Sequence, residues 1–316
     1  NRFEGGHLQC LFRKDFKEFT IRGCLRDSAG TLWLATQKGL ASWSGGDLRL
    51  YTTQDGLSNN DIRALFEDRD RNLWIGTLGG GIVRFAGGKF SSLDSKNGFG
   101  ADQIGVIVED REGSLWIGSD DGGLHALKDG KFKVLGVPEG LSFDLVWGII
   151  QDRTGAMWVG TDHGLNRIEN GKIRQYFVKD GLTNDIVQSL FEDREGRIWA
   201  GTWGGGVNCI QNGRPVSFPH KKELSSEYVT AILQDREGTL WIGTFDHGLM
   251  VLKGDRLTRV TSKNGLPHDT VRMLHEDREG NLWIGTEGGL VLEKDGEFRV
   301  YSSKDGLGSD IIYEMF

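Results

Sequence analysis

One hexapeptide, NLWIGT, occurs at residues 72–77 and again at residues 281–286 of this 316-residue chain. Five near matches lie between and before these copies, at 31–36, 114–119, 156–161, 197–202 and 239–244. The tryptophans of the seven copies are spaced 41 or 42 residues apart: Trp33, Trp74, Trp116, Trp158, Trp199, Trp241 and Trp283. A fixed period of this length is typical of repeat architectures. We therefore interpret the chain as an array of seven repeats.

Each repeat has the pattern of four short strands. In the second repeat, apolar segments alternate with turns rich in Gly and Asp, and we name them strands A to D: IRALFED (62–68), LWIGT (73–77), IVRF (82–85) and KFSSL (89–93). Four strands in about 42 residues are the content of one β-propeller blade. Helical repeats are disfavoured because the chain has 48 glycines, each costing a helix up to about 1 kcal/mol relative to alanine. We therefore predict an all-β fold, a β-propeller of four-stranded antiparallel blades.

The repeat pattern continues to both ends of the sequence. Residues 1–13 match the end of a strand C and a strand D, and residues 305–316 match a turn and a strand A. Complete blades occupy about 17–303. This pattern favours seven blades and leaves eight open, with the end strands as parts of an eighth blade. In both cases we expect residues 1–316 to form a single propeller domain.

Composition excludes several classes of function. The net charge of -7 and the pI near 5.6 argue against a nucleic-acid partner. No apolar run could span a membrane and no signal-peptide pattern is present, so we expect membrane contact only through segments outside this sequence. Neither the cysteines nor the histidines have metal-ligand spacing, and we predict no metal and no cofactor. The Asp-His-Gly triplets at 162–164 and 246–248 could bind a divalent ion, but a turn is favoured.

An aspartate precedes each repeated tryptophan by six residues: Asp27, Asp68, Asp110, Asp152, Asp193, Asp235 and Asp277. Glycine follows three residues later in every copy except one, where Arg71 stands, and Asp-x-x-Gly is typical of a turn. We expect the tryptophan to pack between blades with its indole N–H on a backbone carbonyl. The Thr or Ser three residues after it should tie strand B to its neighbour. Because every blade has this set, we expect it to serve stability, with Asp193→Ala costing about 1 kcal/mol.

The unit D-G-L-x-x-x-x-(I/V)-x-x-(I/L)-x-E-D-x-x-G-x-(L/I)-W-(I/V)-G-T resembles the two-component regulator propeller repeat. Its best copies are DGLSNNDIRALFEDRDRNLWIGT (55–77) and NGLPHDTVRMLHEDREGNLWIGTEGGL (264–290). The resemblance implies the extracytoplasmic sensor region of a bacterial membrane receptor with a histidine kinase or cyclic-dinucleotide output. It therefore implies a periplasmic or extracellular location, with dimerisation through a neighbouring domain outside this sequence as one option.

The blades differ from one another after the repeated Thr and near the start of strand A, which should surround one mouth of the propeller. Trp203 and Phe245 are large aromatics at a position that is Gln, Leu, Asp, Asp and Glu in the other blades. We predict an aromatic and acidic arc at this mouth, made of Asp120, Trp147, Asp162, His163, Trp203, Phe245 and His247. An arginine arc should lie opposite, made of Arg22, Arg63 and Arg272. Aromatic faces suit sugar rings, and arginines suit carboxylate or sulfate groups.

Two questions stay open at this level. The arginines could instead pair with acidic turns, such as Asp102, Asp144, Asp185, Glu227 and Asp269. Three function classes also remain, of which a sensor module for a small or oligomeric, carbohydrate-like ligand is favoured. A polysaccharide lyase or glycosidase is the alternative, with carboxyls and a base among Asp120, Asp162, Asp246, Glu287, His163 and His247. The third class is a protein-docking scaffold. No catalytic motif repeats, so we do not expect an enzyme.

Overall fold

The computed structural model describes residues 2–4, 7–9, 20–95, 98–225, 227–305, 307 and 309–313. Apart from a two-stranded N-terminal pair, its strands form seven four-stranded antiparallel sheets. In every sheet the strands lie side by side in chain order, as A, B, C and D. The helical segments are single 3-10 turns such as Val137–Glu139 and Val178–Asp180. The predicted fold class, a propeller of seven four-stranded blades, is confirmed.

The chain divides into two compact units. Residues 20–190 form the N-terminal unit, and the described residues between 191 and 313, with the N-terminal strand pair, form the C-terminal unit. The strand pair is β1 (Arg2–Glu4) and β2 (His7–Gln9), which are antiparallel. They lie in the segment where the ends of strands C and D were predicted. The remainder of 1–13 and residues 314–316 lie outside the described residues.

The N-terminal unit contains sheets 1 to 4. The strands of sheets 1 and 2 are β3 (Ile21–Arg26), β4 (Leu32–Thr36), β5 (Gly39–Ser44), β6 (Asp47–Tyr51), β7 (Ile62–Glu67), β8 (Leu73–Thr77), β9 (Ile82–Ala86) and β10 (Lys89–Leu93). Those of sheets 3 and 4 are β11 (Ile104–Glu109), β12 (Leu115–Ser119), β13 (Leu124–Lys128), β14 (Lys131–Leu135), β15 (Val146–Gln151), β16 (Met157–Thr161), β17 (Gly164–Glu169) and β18 (Lys172–Tyr176). The strands predicted for the second repeat agree with β7 to β10 within one residue.

Sheet 5 begins at the boundary of the units and sheets 6 and 7 follow. The strands of sheet 5 are β19 (Val187–Glu192), β20 (Ile198–Thr202), β21 (Gly206–Gln211) and β22 (Arg214–Val216). Those of sheets 6 and 7 are β23 (Val229–Gln234), β24 (Leu240–Thr244), β25 (Leu249–Lys253), β26 (Arg256–Val260), β27 (Val271–Glu276), β28 (Leu282–Thr286), β29 (Leu290–Lys294) and β30 (Glu297–Tyr301). After β30, Ile312 donates its backbone N–H to the carbonyl of Thr286 at 3.0 Å.

Five of the repeated tryptophans pack between neighbouring sheets, as predicted: Trp33, Trp74, Trp116, Trp199 and Trp241. Trp33 of sheet 1 shares a buried cluster with Leu57, Ile62, Ile75 and Val83 around sheet 2. Six of the seven tryptophans are at most 7% exposed, and Trp116 is half-buried. Burying a side chain of this size is among the largest apolar contributions that one residue can make. The core is therefore divided into a series of layers between adjacent sheets.

The predicted acceptor of the indole N–H was wrong. In all seven copies the indole Nε1 donates to the carboxylate of the aspartate six residues earlier, at 2.7–2.9 Å. The second carboxylate oxygen accepts the backbone N–H four residues after the aspartate. The aspartate ends strand A beside the start of strand B, so the tight A–B turn carries it within reach of the indole. Arg71 has the positive φ, 62°, that glycine adopts in the other copies.

The hydroxyl three residues after each tryptophan closes the loop between strands B and C. It donates to the carbonyl of the glycine at the end of that loop, as between Thr77 and Gly81 at 2.9 Å and between Thr244 and Gly248 at 2.7 Å. This confirms that the hydroxyl ties strand B to its neighbour, which is strand C of the same sheet. The B–C loops therefore have a fixed backbone on which different side chains are mounted.

Candidate functional site

A β-bulge near the start of strand A places the variable residues. In sheets 1 to 4, 6 and 7 the A–B register shifts by one residue near the start of strand A, so that one residue has no partner on strand B. These unpaired residues are Arg22, Arg63, Gly105, Trp147, Thr230 and Arg272. Bulges re-aim side chains and terminate pairing, often next to functional sites. The bulge thus recurs from sheet to sheet, while the side chain at the bulged position varies.

Three aromatic rings and one guanidinium meet in the C-terminal unit. The ring centroid of Trp203 lies 4.8 Å from that of Tyr228 and 5.3 Å from that of Phe245. The guanidinium of Arg272 lies 5.3 Å from the centroid of Phe245. We call Trp203, Tyr228, Phe245 and Arg272 the aromatic–arginine shelf. The structure thus brings together three predicted site residues in this unit and adds Tyr228.

The shelf is held by contacts on two sides. Trp203 and Tyr228 are joined by an antiparallel backbone bridge, which fixes the loops that carry them. Arg272 donates from Nε and Nη2 to Oε1 of Glu287, the Nε contact being 3.0 Å. Tyr313 places a second ring 5.8 Å from the same guanidinium. Trp203 and Phe245 are half-buried, unlike the tryptophans of the repeat. The shelf therefore offers partly exposed aromatic faces beside a fixed positive charge.

His247, a predicted site residue, lies two positions after Phe245 in the same loop. Its Nδ1 is 2.9 Å from Oε2 of Glu227, whose other oxygen accepts from Nη2 of Arg259 at 2.7 Å. The Glu227 side chain is 3% exposed, whereas the imidazole is 47% exposed. A carboxylate this deeply buried is costly unless it is paired and hydrogen-bonded. Here both conditions are met.

The N-terminal unit contains the other predicted residues, and it corrects the two-arc arrangement. Nη1 of Arg63 lies 2.5 Å from Oδ2 of Asp120, so these two residues are ion-pair partners and do not face each other from opposite arcs. Arg22 pairs with Asp61 at 2.7 Å. Since Arg63 and Asp120 are 57 residues apart on neighbouring sheets, no local sequence pattern signals their contact.

Trp147, Asp162 and His163 lie close together in the same unit. The indole Nε1 of Trp147 donates to Oδ1 of Asp162 at 3.3 Å, and the Trp147 side chain remains 42% exposed. The ring of His163 lies between two phenylalanines, 6.4 Å from Phe143 and 5.7 Å from Phe177. This group is therefore a second aromatic patch, in which the ammonium of Lys179 lies 5.0 Å from the ring centroid of Phe177.

The alternative pairing of the arginines was right about the type of partner and wrong about its identity. Arg22, Arg63 and Arg272 bind Asp61, Asp120 and Glu287. The acidic residues expected in that role mostly cap backbone instead: Asp102, Asp144, Asp185 and Asp269 accept the N–H of the residue seven positions earlier. Glu227 binds an arginine, Arg259.

Two cavities lie away from the predicted site. One of about 560 Å³ is lined by Ser217, Phe218, His220, Lys221, Lys222, Glu223 and Ser225. The other, of about 170 Å³, lies beside Trp116 and Met157. None of the ten predicted site residues lines either of them. The aromatic–arginine shelf is therefore not part of these cavities.

Within the residues that the structure describes, no three His, Cys, Asp or Glu side chains form a group that could hold a metal ion. The same residues include no helix with the length and apolar character needed to cross a membrane.

The repeats match a known family. The family described as "two component regulator propeller" matches residues 56–79, 98–121, 140–163, 181–204, 223–246 and 265–288. Each match runs from the D–A loop through strands A and B into the B–C loop. The chain belongs to the two-component regulator propeller family. The resemblance inferred from the repeated D-G-L and L-W-I-G-T segments is thereby confirmed.

Solved structures share the fold at low sequence identity. The extracellular domain of a hybrid two-component system from B. thetaiotaomicron is 21% identical, with a TM-score of 0.56 over 91% of this chain and 44% of that one. PorZ, a surface component of the type-IX secretion system of Porphyromonas gingivalis, is 19% identical, with a TM-score of 0.63 over 88% of this chain and 46% of that one. This two-component regulator propeller chain thus spans less than half of each.

A propeller enzyme is also similar in fold. Virginiamycin B lyase from Staphylococcus aureus, solved as an inactive variant with quinupristin, is 15% identical, with a TM-score of 0.60 over 87% of this chain and 94% of that one. A comparison with proteins of curated function finds no match. Identities this low establish a common fold and no common chemistry.

Proposed function

We propose that this chain is a ligand-binding sensor propeller of a bacterial signalling receptor, placed in the periplasm or outside the cell. Its ligand is a small or oligomeric, carbohydrate-like molecule that carries a negative charge. The observation that carries the proposal is the aromatic–arginine shelf, in which Trp203 and Phe245 stand beside Arg272. The family match and the extracellular domains of similar fold support the sensor role.

The chemistry of the shelf fits an acidic sugar. Aromatic faces stack on the CH faces of sugar rings, and Trp203 and Phe245 present two such faces with centroids 5.3 Å apart. A guanidinium has five N–H donors, of which Arg272 uses those on Nε and Nη2 for Glu287. The remaining donors can bind a carboxylate or sulfate of the ligand. Because this contact lies at an exposed surface, its contribution to affinity should fall as salt is added.

Binding without catalysis is favoured by how the candidate catalytic acids are used. Asp120 is paired with Arg63, Glu287 with Arg272, and Asp162 accepts from Trp147. A hydrolase of sugars needs one carboxyl as a proton donor and a second one free for attack or for water activation. These three carboxylates are instead held by donors, so we assign the surface to recognition.

A sensor must also couple binding to a change of state. A ligand shifts a conformational equilibrium only if it binds the two states with different affinity. The shelf joins loops next to sheets 5 and 6 to strand A of sheet 7, so a ligand that spans Trp203 and Arg272 would favour the state in which these segments have the spacing that fits it. A neighbouring domain of the receptor or a dimer partner would then sense that spacing.

Calorimetry with a panel of neutral and acidic oligosaccharides tests the proposal. We expect an acidic member to bind the wild type and to lose most of its affinity for the Trp203→Ala, Phe245→Ala double variant. Phe143→Ala, which removes an aromatic side chain of the other unit that is 42% exposed, is the matched control and should bind as the wild type does. Equal binding to the double variant would place the site elsewhere. Steady release of cleaved or unsaturated sugar would replace the sensor by an enzyme.

A further inference from the structure

Three residues that break the repeat meet beside the shelf. Glu227 occupies the position, 14 residues before the repeated tryptophan, that is Asn60, Asp102, Asp144, Asp185 and Asp269 in other repeats. Those aspartates cap backbone N–H groups, whereas Glu227 binds His247 and Arg259. The longer side chain lets the carboxylate reach across to strand D and to the B–C loop. The packing of a blade does not require glutamate at this position, because other sheets form with Asp or Asn there.

His247 and Arg259 depart from the repeat as well. His247 directly precedes the last glycine of its B–C loop, where the other loops of equal length have Gly80, Gly122 and Gly205. A Cβ added at Gly80 or Gly122 would lie 2.5–2.7 Å from the D–A loop, so a side chain here needs a different loop beneath it. Arg259 pairs with Met250 across strands C and D, at a place filled by Leu50, Ser92, Val134, Gln175 and Val300 in other sheets. The three changes are thus mutually dependent.

The network fixes the orientation and tautomer of the imidazole. Glu227 accepts from the Arg259 guanidinium at 2.7 Å, and a carboxylate has only acceptor oxygens. Nδ1 of His247 is therefore the donor of the 2.9 Å contact. Asp246, which is 49% exposed, adds a weaker acceptor 3.3 Å from the same nitrogen. A neutral imidazole with its proton on Nδ1 has a lone pair on Nε2, so the exposed edge of the ring accepts hydrogen bonds.

We infer that His247 determines the specificity of the shelf by accepting a hydrogen bond at Nε2 from a hydroxyl group of the ligand. Phe245 precedes it by two residues, and Tyr228, which contacts Trp203, directly follows Glu227. Glu227 and Arg259 are positioning residues. This inference rests on the proposed function and narrows the ligand: a polyhydroxylated acid, with an anionic group for Arg272 and a hydroxyl donor near the ring stacked on Phe245.

The first test measures the tautomer and needs no ligand. In ¹⁵N-labelled wild type at a pH where the imidazole is neutral, we expect His247 to carry its proton on Nδ1. Glu227→Gln should lower the fraction of His247 that carries its proton on Nδ1, because an amide can donate a hydrogen bond as well as accept one. His163, the histidine of the other Asp-His-Gly corner, contacts two phenylalanine rings and serves as the reference. A proton on Nε2 of His247 in the wild type would overturn the inference.

The second test uses galacturonate oligosaccharides as the acidic probe in calorimetry. His247→Ala should weaken binding at least tenfold, and His163→Ala should leave it unchanged. His247→Ala removes one donor from the buried carboxylate of Glu227, so it should unfold at a lower urea concentration than the wild type, and calorimetry is performed under conditions in which both proteins are folded. If His247→Ala binds the probe as tightly as the wild type does while the Trp203→Ala, Phe245→Ala variant loses its affinity, the role of His247 is overturned and the proposed function stands. If no sugar of the panel binds the wild type, both the role of His247 and the proposed function are overturned.

Discussion

The A–B turns at one end of each sheet are alike in all seven repeats, whereas the B–C loops at the other end differ from sheet to sheet. At the A–B turns every sheet makes the same contact, an aspartate carboxylate accepting from the indole of the repeated tryptophan. At the B–C loops the repeated hydroxyl closes every loop, but the loops differ in length by one residue, their side chains range from Gln37 to Trp203, and their contacts differ from sheet to sheet. A contact that seven blades share cannot mark one ligand site. The difference therefore separates the residues that build the fold from those free to acquire a function.

The turn ends also join the sheets to one another. The residue after the aspartate is an arginine in six of the seven repeats. Arg69 binds the side chain of Glu109 and the carbonyl of Asp110 on the next sheet, and Arg236 does the same with Glu276 and Asp277. A substitution at an A–B turn should therefore lower the stability of the protein in whichever repeat it is made. At a B–C loop, the effect of a substitution on stability should depend on which residue is changed.

The largest effect that we expect is at a loop backbone. Gly206 has φ of +71°, and an added Cβ would lie 1.5 Å from the carbonyl oxygen of Leu224. Gly206→Ala should destabilise the C-terminal unit by several kcal/mol or prevent its folding, as expected for overpacking combined with left-handed strain. Gly254→Ala, with φ of +58° and open space around the Cβ, should cost only about 1–2 kcal/mol. Urea unfolding compares them, and equal costs would contradict a sterically fixed loop.

Next in size is the turn aspartate. Asp193 accepts from the backbone N–H groups of Glu195 and Arg197, from Nε of Arg197 and from the indole of Trp199. Asp193→Ala removes the acceptor of one buried and three partly buried donors, so we expect a loss of about 3 kcal/mol, above the 1 kcal/mol expected from one turn bond. Asp246→Ala, at the loop end and exposed, should stay within about 0.5 kcal/mol. Similar losses in urea would remove the distinction between the ends.

A buried histidine in strand C should make stability depend on pH. His125 is 0% exposed, stacks on Phe99 with centroids 4.3 Å apart, and neither ring nitrogen has a hydrogen-bond partner among the described residues. Burial lowers the pKa of His125 below its ordinary value of 6.5. The unfolded chain therefore binds this proton first, so the contribution is complete above pH 6.5 and is lost as pH falls below it.

Urea unfolding at pH 7.5 and pH 5.5 tests this. The wild type should lose more stability than His125→Val over this interval, by no more than about 1.4 kcal/mol, because the binding of one proton changes the free energy of unfolding by at most that amount per pH unit below 6.5. Valine occupies the corresponding strand C position as Val83 and Val291, so it is compatible with a sheet of this fold. An identical pH dependence in both proteins would show that His125 does not titrate differently in the folded state.

The smallest effect should come from an ion pair at the loop end. Arg63 and Asp120 are 32% and 23% exposed, so solvent screens their attraction. A double-mutant cycle with Arg63→Ala and Asp120→Ala should give a coupling energy below about 1 kcal/mol that shrinks further in salt. A coupling of several kcal/mol would assign Arg63 to the stability of the sheets and not to the variable surface.

The strands were predictable because their signals are local. Period-two apolar segments and Gly-rich turns fixed β7 to β10 within one residue. The indole acceptor was missed because spacing shows that Asp193 and Trp199 are close without showing which groups bond. Tyr228 was detectable, since it is an aromatic at a position that is Asp61, Gln103 or Leu145 in other repeats. The pairs Arg63–Asp120 and Glu227–Arg259 depend on three-dimensional neighbours 57 and 32 residues apart, which no local pattern shows.

The most direct test compares a variant of an A–B turn with a variant of the B–C loops. Calorimetry with an acidic oligosaccharide and urea unfolding are performed on the same two proteins, Asp193→Ala and the Trp203→Ala, Phe245→Ala variant. We expect Asp193→Ala to lose stability and keep its affinity under native conditions, and the double variant to keep its stability within about 1 kcal/mol and lose its affinity. Loss of affinity in Asp193→Ala with unchanged stability, or tight binding by the double variant, would contradict the assignment of structure to the turns and recognition to the loops.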